Sequence, residues 1–124
     1  MKPPCGFLYA ATYAGIRKAA RNDLALIVSA APASASAVFT TNRVQAAPVT
    51  LARRHLVASG GVARAILVNA GNANCATRTG AKVAAATTGA AARLLKSKPE
   101  HVLPASTGVI GVELDPALIL NALP

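Results

Sequence analysis

The sequence predicts a mixed α/β fold, layered as α+β, in which helices pack on a sheet. The apolar run RAILVNAG, residues 64–71, has the composition of a buried strand and stops at a glycine. The alanine-rich residues 81–97 have apolar side chains near helical spacing, and the Pro99 that follows is typical of a helix end. A length of 124 residues is that of one small domain, and 53% of the residues are hydrophobic. We therefore expect residues 1–124 to form a single domain or part of one.

Two short apolar runs surround a loop signal in the first third of the chain. LALIV, residues 24–28, and AVFTT, residues 37–41, predict two strands in a hairpin-like pair. Between them, SAAPASAS carries Pro32 and small residues, which indicate a loop. The preceding segment is expected to be irregular or extended and to end in a polar turn at residues 21–23.

The remaining elements follow from the same local signals. Residues 47–59, APVTLARRHLVAS, predict an extended piece and then a short helix, which two glycines end. Residues 101–112, HVLPASTGVIGV, predict a strand, a turn and a second strand. The last segment opens with Asp115 as a helix N-cap and Pro116 in the first turn. The helix over 81–97 is expected to bury a face that consists of Val83, Ala86, Ala90, Leu94 and Leu95.

The charge balance is strongly basic, with 13 Lys and Arg against 4 Asp and Glu and a net charge of +9. Such a balance is compatible with nucleic acid, an anionic membrane or acidic small substrates. The basic residues are scattered, and only two Tyr and two Phe are present to stack on bases, which argues against nucleic acid. An acidic remainder of a longer protein would explain the imbalance equally well.

Neither a metal site nor export is indicated. Cys5 and Cys75 have no CxxC spacing, and His55 and His101 are isolated, so no metal is expected. The chain start lacks the long apolar region of a secretory leader, and the uncharged residues 24–42 are interrupted by a proline, which predicts no membrane span. We therefore expect a cytoplasmic protein.

Two polar motifs have a structural and a functional interpretation. In NAGNAN, Asn69, Asn72 and Asn74 can bond to the backbone of a tight loop or line a ligand pocket, and residue type favours the loop. In FTTNR, residues 39–43, a solvated strand end is favoured over a role for Arg43 in binding a carboxylate.

PASTGVIG, residues 104–111, leaves three interpretations open: a turn, a site for a developing negative charge, and a nucleophile. A Thr-Gly step offers a hydroxyl and a backbone N–H close together, and the glycine permits close approach of a substrate. Thr107 as a nucleophile needs a base, and His101 lies six residues upstream with no evident route to the hydroxyl. Taken alone, the motif is most often a turn.

Three motifs in this order, VFTTNRVQAAPV, NAGNAN and ASTGVIG, closely resemble the N-terminal part of the glutamate N-acetyltransferase family, also called the ornithine acetyltransferase or ArgJ family. The resemblance runs from about Gly6 to Leu123. It implies a layered sandwich of sheets and helices like that of ArgJ and DmpA, here incomplete. It also implies transfer of an acetyl group from N2-acetyl-L-ornithine to L-glutamate in arginine biosynthesis. No cofactor is implied, although acetyl-CoA serves some members as a co-substrate.

The resemblance also implies site residues and partners. Family members cleave themselves before a threonine in an ATML-type motif, and that threonine carries the acetyl group. The oxyanion hole maps onto the Thr107 hydroxyl and the Gly108 N–H. Because no ATML motif occurs here, we expect an α-chain segment that is inactive alone and whose partners are the downstream α segment and the β chain of an α2β2 heterotetramer. The implied small-molecule substrates are acetylornithine and glutamate.

Two alternatives stay open. One is a non-catalytic basic module that binds nucleic acid, and the other is part of a self-cleaving aminopeptidase or amidase of the same fold. The segment after the asparagines, with Arg78 and Lys82, is more basic than is usual in the family.

Overall fold

The computed structural model describes residues 4–123 as a sheet with helices packed on it. Within these residues the sheet has four strands in the order β1-β2-β3-β4, namely β1 (Phe7–Thr12), β2 (Leu24–Ser34), β3 (Val62–Asn72) and β4 (Val102–Val109). The helices are α1 (Ala47–Ala58), α2 (Gly80–Leu94) and α3 (Pro116–Ala122), and a 3₁₀ turn spans Pro99–His101. β1, β2 and β3 are antiparallel, whereas β4 is parallel to β3 after the crossover through α2. The predicted fold class is confirmed.

β3 shows why one face of the sheet is covered. Ala63, Ala65 and Leu67 are buried, whereas Ile66 between them is 38% exposed. This alternation is that of a strand with one face against the core. The buried side chains join the helices in one hydrophobic cluster: Leu24, Ala65, Leu67, Val83, Ala91, Ala92, Val102, Leu114 and Ile119. The predicted strand at 64–71 is confirmed and is slightly longer than expected.

The opposite face of the sheet is apolar and incompletely covered. Tyr9, Ile27, Ile66 and Leu103 are register partners in the four neighbouring strands, so their side chains form one row across this face. Tyr9 is 53% exposed, and Ile27 and Leu103 are half-buried. None of the helices in residues 4–123 has the length and apolar content needed to cross a bilayer.

The buried face of α2 differs from the predicted one. Ala86 and Leu94 are exposed, whereas Thr87 and Thr88 are buried. Each threonine satisfies its own hydroxyl within the helix, Thr87 by donating to Val83 O at 2.9 Å and Thr88 by donating to Ala84 O at 2.8 Å. The buried face predicted from apolar residues alone is therefore shifted by about one residue along α2.

The predicted hairpin over residues 24–41 is wrong. β2 pairs with β1 on one side and with β3 on the other, and its register with β3 shifts between Val28 and Ala33. Pro32 lies in the shifted part, where its missing N–H interrupts no regular ladder. Because both edges of β2 are occupied, residues 37–41 cannot pair with it in a hairpin. Val38 is 99% exposed.

At residues 101–112 the predicted first strand is confirmed, but the predicted turn and second strand are wrong. β4 runs without a break through Ser106, Thr107 and Gly108, each in parallel register with a residue of β3. The glycine marks a close approach of two backbones instead of a turn, as described below.

The helix starts were predicted with mixed success. At α3, Asp115 Oδ1 accepts the N–H of Ala117 at 2.9 Å, which confirms the predicted N-cap. α1 begins at Ala47 itself, without the expected extended piece, because Pro48 fits the first helical turn, where its missing N–H is no loss. The helix ends before Gly60, as expected.

Candidate active site

The carboxyl ends of the two parallel strands lie side by side. Ala70 is in register with Thr107, and Gly71 with Gly108. Ligand sites of α/β proteins commonly lie at the carboxyl ends of parallel strands. The sheet therefore brings the NAGNAN and ASTGVIG motifs together, although they are distant in the sequence.

An open cleft of about 950 Å³ lies at these strand ends. Thr107 and Gly108, the residues predicted to form an oxyanion hole, line it, and both are exposed. The opposite wall comes from the connection between β1 and β2, which we call the cationic loop (residues 13–22). Three cations of this loop line the cleft, namely Arg17, Lys18 and Arg21. The described lining residues include no carboxylate.

Gly108 occupies a position that no other residue can fill. Its φ is +134°, and a Cβ built there would lie 2.2 Å from the carbonyl carbon of Gly71 and 2.5 Å from the nitrogen of Asn72. Because ordinary van der Waals contact begins at about 3.4 Å, the two strands can approach this closely only at a glycine. The Thr107–Gly108 step is thus fixed directly against the end of β3.

Gly71 permits a similarly close approach of the cationic loop to β3. Its φ is +102°, and a Cβ there would lie 2.8 Å from Arg17 Cγ and 3.2 Å from Ile16 Cγ2. The aliphatic part of Arg17 therefore packs over a glycine that is itself in register with Gly108. Two facing glycines set the distance between the loop and the predicted oxyanion hole.

Asp23 fixes the conformation of the cationic loop. Its carboxylate is 3% exposed and accepts the backbone N–H of Ala14 at 2.6 Å and of Arg17 at 2.8 Å. Its carbonyl accepts the N–H of Ala70 at 2.8 Å, which ties the loop to the end of β3. The sequence predicted only a polar turn here. An aspartate directly before a buried strand was the available signal for an anchoring role.

Asn69 and Asn72 form a buried network beside the cleft, which Asn72 also lines. Ser106 Oγ donates to Asn69 Oδ1 at 2.6 Å, and Asn69 Nδ2 donates to Asn72 O at 2.9 Å. Asn72 Nδ2 donates to Val112 O at 3.0 Å, which holds the chain that leaves β4. The network links the ends of both parallel strands.

Asn74 holds the turn after β3. Its φ is 48°, a left-handed conformation that asparagine adopts more readily than bulky residues do, and its side chain is buried at 2% exposure. Its N–H donates to Asn72 Oδ1 at 2.7 Å, and its Nδ2 donates to Gly80 O at 2.9 Å. All three asparagines thus bond to the surrounding chain, which confirms the loop-building interpretation.

Glu113 connects the exit from β4 to the start of α2. Its carboxylate accepts the Thr79 hydroxyl, the Arg78 N–H at 2.8 Å and the Thr79 N–H at 3.3 Å. The hydroxyl of Thr79, followed by the Arg78 amide, holds the pKa of Glu113 below its ordinary value. Sequence reasoning missed this contact because the partners are distant in the chain.

The other candidate residues lie apart from the cleft. His101 Nδ1 lies 3.4 Å from Ser97 Oγ, and His55 Nδ1 lies 2.8 Å from Val102 O. Among residues 4–123 the structure shows no hydrogen bond from the Thr107 hydroxyl to a base. No partner in this chain segment is therefore seen to activate it as a nucleophile.

The FTTNR segment is a solvated loop and not a strand end. Asn42 donates its N–H to Thr40 Oγ1 at 3.1 Å, and Arg53 lies over the Phe39 ring at 5.1 Å from its centroid. Arg43 is exposed. The predicted strand is absent from these described residues.

Both cysteines are free thiols, Cys5 exposed and Cys75 buried. Across residues 4–123, no three His, Cys, Asp or Glu side chains come close enough to hold a metal ion.

Comparison with known proteins gives a consistent result. The model of the ArgJ family matches residues 8–124. A protein from Nitratidesulfovibrio vulgaris, named arginine biosynthesis bifunctional protein ArgJ, is 51% identical over 112 residues, which are 90% of this chain and 28% of that relative. The chain thus spans less than a third of the length of this relative.

Solved structures agree. The crystal structure of arginine biosynthesis bifunctional protein ArgJ from Bacillus halodurans superposes with a TM-score of 0.90 at 35% identity, over 96% of this chain and 62% of that chain. Ornithine acetyltransferase from Mycobacterium tuberculosis, complexed with ornithine, superposes with a TM-score of 0.88 at 35% identity, over 97% of this chain and 65% of that chain.

Proposed function

This chain belongs to the ArgJ family, and on that premise we propose that it is the N-terminal segment of an acetyltransferase of arginine biosynthesis. The proposed reaction moves an acetyl group from N2-acetyl-L-ornithine, or from acetyl-CoA as co-substrate, to L-glutamate. Thr107 and Gly108 supply the oxyanion hole, and the nucleophile belongs to the part of the protein that this chain does not include. A cytoplasmic location and the absence of a resident cofactor complete the proposal.

The reaction requires hydrogen-bond donors next to the oxygen of the acetyl group. When the nucleophile adds to the acetyl carbon, the π electrons of the C=O bond move to its oxygen, which becomes anionic. The Thr107 hydroxyl and the Gly108 N–H donate to that oxygen. As the C=O bond forms again, the bond from the acetyl carbon to the ornithine nitrogen breaks. The amine of ornithine leaves with the proton that the nucleophile has lost, and the acetyl group stays on the nucleophile. The amine of glutamate then attacks the acyl-enzyme in the same way, and its proton goes to the nucleophile as that group is released.

The observation that carries this proposal is the exposure of Thr107 and Gly108 together in the cleft. The neighbouring polar groups of Ser106, Asn69 and Asn72 are already engaged with one another. Within the described chain, the Thr107 hydroxyl forms no such bond and so is available to a ligand. The close packing of Gly108 on β3 supports a fixed geometry, which electrostatic stabilisation requires.

Two observations support a role as part of a larger protein. The chain covers only 28% of the Nitratidesulfovibrio relative. In addition, the row of Tyr9, Ile27, Ile66 and Leu103 leaves apolar area on the open sheet face, and burying such area contributes ~25 cal/mol per Å². We propose that the remaining α segment and the β chain cover this face in an α2β2 heterotetramer.

A chimaera tests the function. These 124 residues replace the matching segment of the Nitratidesulfovibrio relative, and the purified protein receives acetylornithine and glutamate. We expect N-acetylglutamate to accumulate with the chimaera and not with the 124-residue chain alone. A folded, self-cleaved chimaera without transfer, beside an active parent, would contradict the proposal. Release of free acetate instead of N-acetylglutamate would favour an amidase of the same fold.

A further inference from the structure

The position of Arg17 is determined by three contacts. Its N–H donates to Asp23 Oδ2 at 2.8 Å, and its carbonyl accepts the Tyr13 hydroxyl at 3.1 Å. Its side-chain stem packs on Gly71, where a Cβ would approach Arg17 Cγ to 2.8 Å. Gly71 is in register with Gly108. Arg17 therefore has a fixed backbone and lines the same cleft as Thr107 and Gly108.

The cleft carries positive charge that this part of the chain does not balance. Arg17, Lys18 and Arg21 all line it and are exposed, and no carboxylate is among the described lining residues. Asp23 is the acidic residue closest in sequence, but its carboxylate is buried and bonded to the backbone N–H groups of Ala14 and Arg17. A carboxylate in the cleft is attracted by these charges, and an ammonium group is repelled.

We propose that Arg17, Lys18 and Arg21 form a wall of the cleft that binds the side-chain carboxylate of an acidic amino acid. The ligand identity rests on the proposed function, under which it is glutamate and its N-acetyl product. Glutamate and ornithine share the α-carboxylate and differ at the end of the side chain, which is a carboxylate in one and an ammonium group in the other. The cationic wall discriminates at this end.

Arg17 is the principal residue of the wall. A guanidinium presents paired N–H donors that match the two oxygens of a carboxylate, whereas an ammonium group acts as a point charge. Lys18 and Arg21 add positive charge, but within residues 4–123 the structure shows for them no set of contacts like those that fix Arg17. Thr107 and Gly108 bind the oxygen of the acetyl group, so Arg17 is a specificity residue and takes no part in the bond changes.

Binding to the chimaera described above tests the wall without requiring catalysis. Labelled N-acetyl-L-glutamate and N-acetyl-L-glutamine, which differ in the charge of the side chain, are compared by equilibrium dialysis at constant ionic strength. We expect about tenfold tighter binding of N-acetylglutamate, and Arg17→Ala is expected to remove that preference. Arg17→Lys retains part of it. Arg54→Ala, which removes the same charge from an exposed position outside the cleft, leaves it unchanged.

Three results would overturn the inference. The first is equal affinity for the two ligands, and the second is an equal loss for both with Arg17→Ala, which would indicate a contact to the α-carboxylate. The third is an equal loss with Arg54→Ala, which would indicate a general charge effect. In transfer assays, Arg17→Ala should raise KM for glutamate about tenfold with little change in kcat. A chimaera that binds with the expected preference but transfers no acetyl group would contradict the proposed function, while the binding preference would still support the cationic wall.

Discussion

Replacement of Gly108 by alanine tests the close approach of β3 and β4. The new Cβ would lie 2.2 Å from the carbonyl carbon of Gly71, against an ordinary contact of 3.4 Å or more. The nearest atoms are backbone atoms of β3, which cannot rotate away as a side chain would. The strand ends must therefore separate by more than an ångström where Gly71 pairs with Gly108, next to the pair of Ala70 and Thr107.

The magnitude follows from two contributions. Overpacking of a close-packed contact costs ~1–3 kcal/mol, and a non-glycine residue at an unfavourable positive φ costs ~1–3 kcal/mol. We therefore expect Gly108→Ala to lower the free energy of unfolding by about 4 kcal/mol. Gly60 provides the matched control because its φ is +64° and a Cβ there has no atom within 4 Å. Gly60→Ala should cost only ~1–2 kcal/mol, the backbone contribution alone.

Urea unfolding of the two variants and the parent, followed by circular dichroism, measures the difference. With a slope of ~1–3 kcal/mol per M for a small protein, Gly108→Ala should move the midpoint by roughly 2 M and Gly60→Ala by less than half of that. A Gly108→Ala variant that cannot fold under native conditions also fulfils the expectation, provided that Gly60→Ala folds. Equal midpoints for the two variants would refute the steric argument.

Three further perturbations test other parts of the account. Asp23→Asn leaves one of two backbone donors without its acceptor at a buried site and should cost ~1–3 kcal/mol, with faster amide hydrogen exchange in the cationic loop; unchanged exchange there would contradict the anchoring role. Because the pKa of Glu113 is lowered in the folded protein, its carboxylate stabilises the fold above the unfolded pKa and loses this effect as the pH falls through the folded pKa. Glu113→Gln should therefore be less stable than the parent at pH 7, and the difference should shrink on acidification; a difference independent of pH would argue against the capping contact. In filter binding with duplex DNA at low salt we expect negligible retention, and tight binding that falls steeply with salt would revive the nucleic-acid alternative.

Local signals in the sequence predicted the parts of the fold that depend on neighbouring residues. The strand at 64–71 was identified from its own composition, and Asp115 was identified as an N-cap because it bonds within its own first turn. The buried face of α2 was predicted incorrectly because the hydroxyls of Thr87 and Thr88 donate to backbone carbonyls of the same helix. These bonds allow both threonines to be buried, although a hydropathy pattern treats them as polar.

Strand pairing required information that the local sequence does not contain. AVFTT at 37–41 has the composition of a strand, but the partners of β2 are β1 and β3, so composition alone paired it with a strand whose edges are both occupied. Gly108 was assigned to a turn because glycine is the usual turn residue, and only the register with Gly71 shows that it permits backbone contact.

The candidate site was located by motif and not by geometry. The resemblance supplied Thr107 and Gly108, whereas the positions of Arg17 and Asp23 became apparent only when the β1–β2 connection was seen against β3. Contacts that join distant parts of the chain have no periodic signature. The packing of Arg17 on Gly71 and the hydrogen bond from Ala70 N–H to the Asp23 carbonyl are contacts of this kind.

The central claim is that the Thr107 hydroxyl and the Gly108 amide stabilise the oxyanion of acetyl transfer. The most direct measurement is kcat and KM for Thr107→Ala in the chimaera, with Thr107→Ser and the exposed Thr50→Ala as matched controls. The account predicts that kcat falls by about 10²–10³ with Thr107→Ala, equivalent to ~3–4 kcal/mol of transition-state stabilisation, while KM changes little. Thr107→Ser should retain much of the activity and Thr50→Ala all of it. Undiminished kcat for a folded Thr107→Ala chimaera would contradict the claim.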